Sequence, residues 1–299
     1  MVIFNKIISN LVPYFPRSLT YQFAKRYVAG TTKETALETI KKLNDSGYLV
    51  TLDILGEHTR NKDIAADITA QYIDLYREID ARSLQCNISL KPTHIGSEIS
   101  VDTYNQNLQE IINISENTNN FVRIDMESSS HTDFTINSFL EQRKNNLKIG
   151  TVFQAYLFRT YDDVTALDPE NLNFRLCKGI YKESDDVCIN DRVKINENYL
   201  KILRYAFEKN IYVGIATHDT DLLESVYALI DDLHVPSYRF EFQVLYGVPM
   251  HGWSQKNLEN GYRVRVYVPF GEDWYKYSIR RLKENPDIAG YIVRNLFSK

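Results

Sequence analysis

The sequence of 299 residues is poor in cysteine and has no long apolar run. Its three cysteines, Cys86, Cys177 and Cys188, are odd in number and show no close pairing. Such a set argues against a secreted disulfide scaffold and favours a reducing compartment. No stretch approaches the roughly 18 apolar residues of a membrane-spanning helix. We therefore expect a cytoplasmic protein, with at most a peripheral contact at the inner face of the membrane.

Several catalytic signatures are also absent. The chain has no G-x-G-x-x-G, Walker A, G-x-S-x-G, H-E-x-x-H or C-x-x-C motif. Its six histidines are scattered, and only His218 falls at the end of a predicted strand, so we expect no catalytic metal. The 35 basic and 39 acidic side chains give a net charge of -4, which argues against a nucleic-acid partner.

Strand-like and helix-like segments alternate along the whole chain, and 43% of the residues are apolar. No long linker rich in Gly or Pro divides them, which favours one eight-stranded barrel over two domains. We predict a TIM-like, distorted (β/α)8 barrel over residues 46–299, preceded by an N-terminal helical arm over residues 1–45. The predicted strands are 48–55, 84–90, 121–126, 150–157, 174–180, 211–216, 238–246 and 263–268.

Barrel enzymes place their catalytic side chains at the C-terminal ends of the strands. Polar residues do occur there in this sequence, although strand ends are also polar simply because they meet solvent. Lys91 and Asp125 follow neighbouring strands, and they could form an ion pair whose role is purely structural. The other polar residues at these ends include Gln154, Arg175, Lys178, Thr217, His218 and Tyr267.

The segment after the last strand predicts a helix that carries two adjacent arginines, Arg280 and Arg281. Glu284 is four residues after Arg280, so it can hold that guanidinium while Arg281 points elsewhere. If this helix meets the mouth of the barrel, the arginines could bind a carboxylate in bidentate fashion. From the spacing alone, a solvated basic helix face is the favoured interpretation.

Taken together, these residues resemble the proline dehydrogenases, which are flavoenzymes built on a distorted (β/α)8 barrel. The resemblance covers most of the chain and rests on six segments in the right order. They are Ile-Asp-Met-Glu at 124–127, Val-Phe-Gln-Ala-Tyr at 152–156, Arg-Leu-Cys-Lys-Gly-Ile-Tyr-Lys-Glu at 175–183, Ala-Thr-His-Asp at 216–219, Glu-Phe-Gln-Val-Leu-Tyr-Gly at 241–247 and Tyr-Ser-Ile-Arg-Arg-Leu-Lys-Glu at 277–284.

The resemblance implies a role for each matching position. Asp125 and Arg175 would be the catalytic residues, with Asp125 beside Lys91. The substrate-binding residues would be Lys91, Tyr181, Leu245, Tyr267, Arg280, Arg281 and Glu284. FAD would be bound by Met126, Gln154, Arg175, Lys178, Gly179, Ile180, Thr217 and His218.

The resemblance also implies a reaction. L-proline would lose a hydride to flavin N5 and become 1-pyrroline-5-carboxylate, and the electrons would pass to a membrane quinone. Ile180 stands where the family often has Ala, and Lys182 where the large bifunctional members carry Trp. We therefore expect a monofunctional enzyme whose product is taken up by a separate 1-pyrroline-5-carboxylate dehydrogenase.

Two other function classes stay open from the residues alone. A barrel aldolase or sugar-phosphate enzyme would use Lys91 or Lys178 as a Schiff-base amine, and Gly247 and Gly271 to hold phosphate. A barrel that binds a ligand without turnover would keep the cavity and lose the chemistry.

Overall fold

The computed structural model describes residues 20–21, 24–275 and 277–279, and at its centre is a closed barrel of parallel strands. Each strand pairs with the next along the chain, and β8 returns to pair with β1. The strands are β1 (Leu49–Ile54), β2 (Cys86–Leu90), β3 (Val122–Ile124), β4 (Ile149–Gln154), β5 (Asn173–Cys177), β6 (Tyr212–Ala216), β7 (Phe240–Leu245) and β8 (Val264–Phe270). The predicted TIM-like (β/α)8 barrel is confirmed, with the eight strands in the predicted order.

Helices surround the barrel, and short polar side chains mark where several of them begin. Thr32, Asn61, Ser100, Asp191 and Asp219 each accept a hydrogen bond from a backbone N–H of the following first turn. The helices are α1 (Lys33–Asp45), α2 (Lys62–Ala81), α3 (Val101–Asn117), α4 (Thr132–Arg143), α5 (Thr160–Thr165), α6 (Arg192–Glu208), α7 (Thr220–Asp232) and α8 (Trp253–Glu259). None of the helices in the described part of the chain is long and apolar enough to cross a membrane.

The strands alternate between an apolar outer face and a polar inner face. Outward residues such as Leu52, Ile88 and Leu176 are fully buried against the helices and belong to the main apolar core. Inward residues meet one another across the barrel, where they form ion pairs and hydrogen bonds instead of apolar layers. These contacts include Thr51 with Asn87, Arg123 with Asn173, Arg175 with Asp125, and Arg265 with Glu241. The interior of this barrel is therefore lined mainly by polar and charged side chains.

The described part of the N-terminal segment packs directly on the barrel. The backbone N–H of Ala29 donates to the Pro269 carbonyl at 2.9 Å, and that of Gly271 donates to the Gly30 carbonyl at 3.1 Å. Helix α1 lies against β1 and β8. Its buried residues, Ala36, Leu37 and Ile40, join the main apolar core. The division at residue 45 between a helical arm and the barrel stays a prediction, and residues 1–19, 22 and 23 of that arm lie outside the described residues.

Candidate active site

A cavity of about 580 Å³ opens at the C-terminal ends of the strands. It brings together every predicted site residue that the structure describes. These are Lys91, Asp125, Met126, Gln154, Arg175, Lys178, Gly179, Ile180, Tyr181, Thr217, His218, Leu245 and Tyr267. The other three, Arg280, Arg281 and Glu284, lie outside the described residues.

Arg175 and Asp125 form a buried ion pair in this cavity. Arg175 Nη1 donates to Asp125 Oδ1 at 2.8 Å, and Arg175 Nη2 donates to Ser89 Oγ at 3.1 Å. Arg175 Nε donates to Gln243 Oε1 at 2.6 Å. Burial lowers the pKa of Arg175, but Asp125, Cys177, Tyr267 and Glu241 together outweigh burial, so this pKa lies above its ordinary value. Arg175 is therefore a fixed cation whose guanidinium is held from three strands.

Tyr267, near the end of β8, completes this group. Its hydroxyl donates to Asp125 Oδ2 at 3.0 Å, and the Arg175 guanidinium lies 5.0 Å from the centre of its ring. Ser89 Oγ donates to the other oxygen of Asp125 at 2.9 Å. Burial and the carboxylate of Asp125 raise the pKa of Tyr267 well above its ordinary value, so the hydroxyl keeps its proton.

Lys91 pairs with Asp53, and the predicted ion pair between Lys91 and Asp125 is wrong. Lys91 Nζ donates to both oxygens of Asp53 at 2.9 Å. Asp125 is instead paired with Arg175, which reaches it from across the barrel. Burial lowers the pKa of Lys91, but the nearby carboxylates of Asp53 and Asp125 outweigh burial and raise it above its ordinary value. Lys91 is therefore an ammonium at neutral pH.

Asp53 is the main residue that sequence reasoning missed. It lies inside β1, between Leu52 and Ile54, and is only 1% exposed. A carboxylate inside an otherwise uncharged strand was the available signal, because such a group is not buried without a partner. Other residues lining the cavity that the sequence analysis did not place there include Glu57, Gln243, Asp273 and Tyr277.

The loop after β5 forms the wall of the cavity that carries Lys178, Gly179, Ile180 and Tyr181. Gly179 has φ +120°, and a Cβ at this position would overlap the ring of Tyr156. Only glycine both adopts this φ without strain and leaves room for the Tyr156 ring. The loop thus brings bare backbone to the cavity, and the side chain of Ile180 is 53% exposed beside it.

Lys178 and His218 are each held by a specific contact. Lys178 Nζ donates to Asp219 Oδ2 at 2.7 Å. The backbone N–H of Leu245 donates to His218 Nε2 at 3.0 Å, so the ring carries its hydrogen on Nδ1 and is neutral in this arrangement. Gln154 Nε2 donates to the carbonyl of Glu127 at 2.8 Å, which fixes its side chain in the cavity wall.

The geometry does not support a Schiff-base aldolase. A nucleophilic lysine needs a lowered pKa, whereas Lys91 has a raised pKa and Lys178 is paired with Asp219. The glycines proposed for phosphate binding contact the N-terminal segment instead. A Cβ on Gly247 would overlap the carbonyl of Arg26, and Gly271 donates its N–H to Gly30.

Comparisons with known proteins agree on one family. The family model described as proline dehydrogenase matches residues 36–294. The chain is 36% identical over 277 residues to proline dehydrogenase 2 of Bacillus subtilis, covering 92% of this chain and 91% of that protein. It is 31% identical over 290 residues to proline dehydrogenase of Deinococcus radiodurans, covering 95% and 93%.

A solved structure gives the same result for the fold. The crystal structure of proline utilization A (PutA) from Bdellovibrio bacteriovorus, inactivated by N-propargylglycine, superimposes with a TM-score of 0.82 at 26% identity. The match covers 89% of this chain and 33% of that chain, so the present chain corresponds to about a third of the larger protein.

Proposed function

The chain belongs to the proline dehydrogenase family, and we propose that it oxidises L-proline to 1-pyrroline-5-carboxylate with FAD as the hydride acceptor. The observation that carries this proposal is a single cavity at the C-terminal ends of the strands that holds two fixed cations. Arg175 is held by Asp125, and Lys91 is held by Asp53. Cations held in place this way suit an anionic substrate and a reaction in which negative charge develops.

The cavity fits a flavin. Its volume of about 580 Å³ lies within the range of roughly 300–1,000 Å³ that is usual for ligand sites. Gly179 lets the loop after β5 pack against Tyr156, because a Cβ there would overlap that ring, and the same loop presents its backbone and the cation of Lys178 at the cavity wall. We assign flavin contacts to the residues of the cavity wall that the family resemblance implies, Met126, Gln154, Arg175, Lys178, Gly179, Ile180, Thr217 and His218. When bound, FAD supplies a two-electron acceptor for the hydride.

Substrate binding would begin with the carboxylate of proline. Lys91 remains protonated and lines the cavity, so it offers a fixed positive charge to that carboxylate. We propose that Arg280 and Arg281, oriented by Glu284, complete this site. Tyr181, Leu245 and Tyr267 line the same cavity and would enclose the pyrrolidine ring, which excludes water from the reacting carbon.

Hydride departure requires a neutral amine. One ammonium proton must leave first, so that the nitrogen lone pair can form the C=N bond as the C–H bond breaks with its electron pair. The protonated imine that results then releases its remaining N–H proton to water and gives the imine. Lys91 and Tyr267 both have raised pKa values and hold their own protons at neutral pH. We therefore assign proton loss to the substrate amine in exchange with water. We expect the rate constant for flavin reduction to rise with pH, and a flat pH profile would contradict this step.

Arg175 would act on the charge that develops during this step. Its guanidinium stays charged and is fixed by Asp125, Gln243 and Ser89 before the substrate arrives. A preorganised cation stabilises negative charge more effectively than a mobile one, because no reorganisation is needed during the reaction. We propose Arg175 and Asp125 as the catalytic pair on this basis.

We further propose that the electrons pass to a membrane quinone, reached by a cytoplasmic protein through a peripheral membrane contact. A separate 1-pyrroline-5-carboxylate dehydrogenase would then consume the product. Turnover with a soluble quinone analogue and L-proline tests the acceptor, and floatation with lipid vesicles tests the membrane contact.

The deciding experiment is the visible spectrum of the purified protein, reconstituted with FAD, before and after anaerobic addition of L-proline. We expect flavin bands that bleach with proline, and a 1-pyrroline-5-carboxylate product that can be trapped with o-aminobenzaldehyde. We also expect N-propargylglycine to inactivate the enzyme, as it does the Bdellovibrio PutA. Loss of bleaching in Arg280→Ala or Arg281→Ala would support the carboxylate site. A protein that binds no flavin after reconstitution would rule out the proposed reaction.

A further inference from the structure

The buried pair of Asp53 and Lys91 has features that a simple structural ion pair does not need. Asp53 lies inside β1, yet it lines the cavity together with Lys91 from the end of β2. Each carboxylate oxygen of Asp53 accepts a hydrogen bond from Lys91 Nζ at 2.9 Å. The Lys91 side chain is 14% exposed and that of Asp53 is 2% exposed. The carboxylate is thus enclosed, while the ammonium faces the cavity.

The geometry leaves one donor of Lys91 available. A lysine ammonium has three N–H donors on a flexible stem of four carbons. Two of them are engaged by the two oxygens of Asp53. Among residues 20–21, 24–275 and 277–279, no acceptor for the third donor lies within hydrogen-bond distance. Since the first two bonds fix the orientation of the ammonium, they also fix the direction of the third.

We propose that Asp53 is a positioning residue, which holds the Lys91 ammonium so that one N–H is presented to the substrate carboxylate. This inference deepens the proposed function and rests on it. Holding a flexible lysine in its binding geometry removes the entropy loss that substrate would otherwise have to overcome. Asp53 itself need not touch the substrate. Its carboxylate also lies near Tyr267, but Lys91 is its direct ion-pair partner, so we expect its effect on KM to pass through Lys91.

The charges around Lys91 also predict how its pKa responds to a change at Asp53. The titratable groups coupled by charge to Lys91 are Asp53 from β1, Asp125 and Glu127 from just after β3, Tyr181 from the loop after β5 and His94 from the loop that carries Lys91. Burial lowers the pKa of Lys91, and the two carboxylates outweigh burial. Without the Asp53 carboxylate, less negative charge opposes the effect of burial, so the pKa of Lys91 should fall.

The first test is kinetic and uses the flavin-loaded enzyme. In Asp53→Asn we expect KM for L-proline to rise about 10- to 100-fold, the range of a hydrogen bond to a charged group. We expect kcat to change by less than about threefold. Asp74→Asn is the matched control, because it breaks another Lys–Asp contact, with Lys33, and neither of these residues lines the cavity. Its KM should equal that of the wild type.

A double variant separates positioning from other roles. If Asp53 acts only through Lys91, then Asp53→Asn combined with Lys91→Met should have a KM no higher than that of Lys91→Met alone, in which the Asp53 carboxylate has lost its partner. The double variant also buries no unpaired charge, so it protects the test against a single variant that fails to fold. A KM for the double variant well above that of Lys91→Met would overturn the inference, because Asp53 would then act independently.

The second test does not need proline turnover. Competitive labelling with acetic anhydride over a range of pH, followed by mass spectrometry, reports the pKa of each lysine amine. We expect Lys91 to become reactive at lower pH in Asp53→Asn than in the wild type, with the exposed Lys62 as the internal reference. An unchanged labelling profile would overturn the assignment of Asp53. A wild-type enzyme that labels as expected but never oxidises proline would instead overturn the proposed function, and the substrate part of this inference with it.

Discussion

Replacing Asp125 by Asn should destabilise the fold far more than the loss of an ordinary carboxylate. Asp125 accepts hydrogen bonds from Arg175, Ser89 and Tyr267 in the interior of the barrel. Arg175 is 5% exposed, and without the carboxylate its remaining hydrogen-bond partners, Ser89 and Gln243, are neutral. Removing one partner of a buried ion pair typically costs about 3–5 kcal/mol. Because Asn keeps one oxygen, we expect a loss of about 3 kcal/mol in the free energy of unfolding.

The assay is urea unfolding of the flavin-free protein, followed by circular dichroism, with Asp74→Asn as the control. Asp74 pairs with Lys33 on the surface, where such pairs contribute about 0–1 kcal/mol. A double variant, Asp125→Asn with Arg175→Met, removes both charges, so we expect it to be more stable than the sum of the two single losses predicts, by about 2 kcal/mol. The flavin-loaded Asp125→Asn enzyme should also lose about 100-fold or more in kcat, because Arg175 is no longer fixed.

Two results would refute this reasoning. One is an Asp125→Asn variant that is as stable as Asp74→Asn, since the carboxylate would then not be compensating the buried guanidinium. The other is a double variant whose loss in the free energy of unfolding equals the sum of the losses in the two single variants. In that case Asp125 and Arg175 would contribute independently, despite their separation of 2.8 Å.

Three further predictions follow from single contacts. Tyr267→Phe removes the donor to Asp125 and keeps the ring beside Arg175, so urea unfolding should show a loss of about 1.5–3 kcal/mol, and a loss near zero would contradict the hydrogen bond. Gly179→Ala should weaken FAD binding, measured by fluorescence titration, whereas Gly261→Ala should not, because Gly261 also has positive φ but open space around it. Burial lowers the pKa of His94 to about 3, so the unfolded chain binds a proton below about pH 6.5 that the folded protein excludes, and stability is lost as pH falls from 6.5 towards 3. Between pH 6.5 and 5 the wild type should lose about 2 kcal/mol more than His94→Gln in urea unfolding, and parallel pH profiles would contradict this.

The barrel could be predicted from sequence because each strand leaves a local pattern. Apolar and β-branched runs alternate with helical periodicity, and these patterns depend on neighbours in the chain. The ends of the strands were less predictable. The seventh strand was expected to begin at residue 238, but Ser237–Arg239 form a single tight turn after Pro236, and β7 begins at Phe240.

The pairing of charges inside the barrel could not be predicted in the same way. Leu90 and Ile124 are register partners, so Lys91 and Asp125 do follow adjacent strands at the same level. The sequence therefore suggested that they pair. In the folded barrel, however, Arg175 crosses the interior to Asp125, and Lys91 turns to Asp53 on its other neighbouring strand. Which cation pairs with which carboxylate depends on distances across the closed barrel. These distances cannot be read from the order of residues along the chain.

The charges of the barrel interior do not cancel in pairs. Lys91 with Asp53, Arg175 with Asp125, and Arg265 with Glu241 are three closed ion pairs. Arg123 is a fourth cation, bound to the Thr151 carbonyl and to Asn173 Oδ1, and no carboxylate oxygen of a described residue lies within ion-pair distance of it. Burial, together with Arg175 and Arg265, lowers the pKa of Arg123 to about 9. A buried cation without a carboxylate partner is costly. Among these seven charged groups inside the barrel, four are cations and three are carboxylates, so they favour an anion in the cavity. The carboxylate of the substrate has the sign that this interior favours.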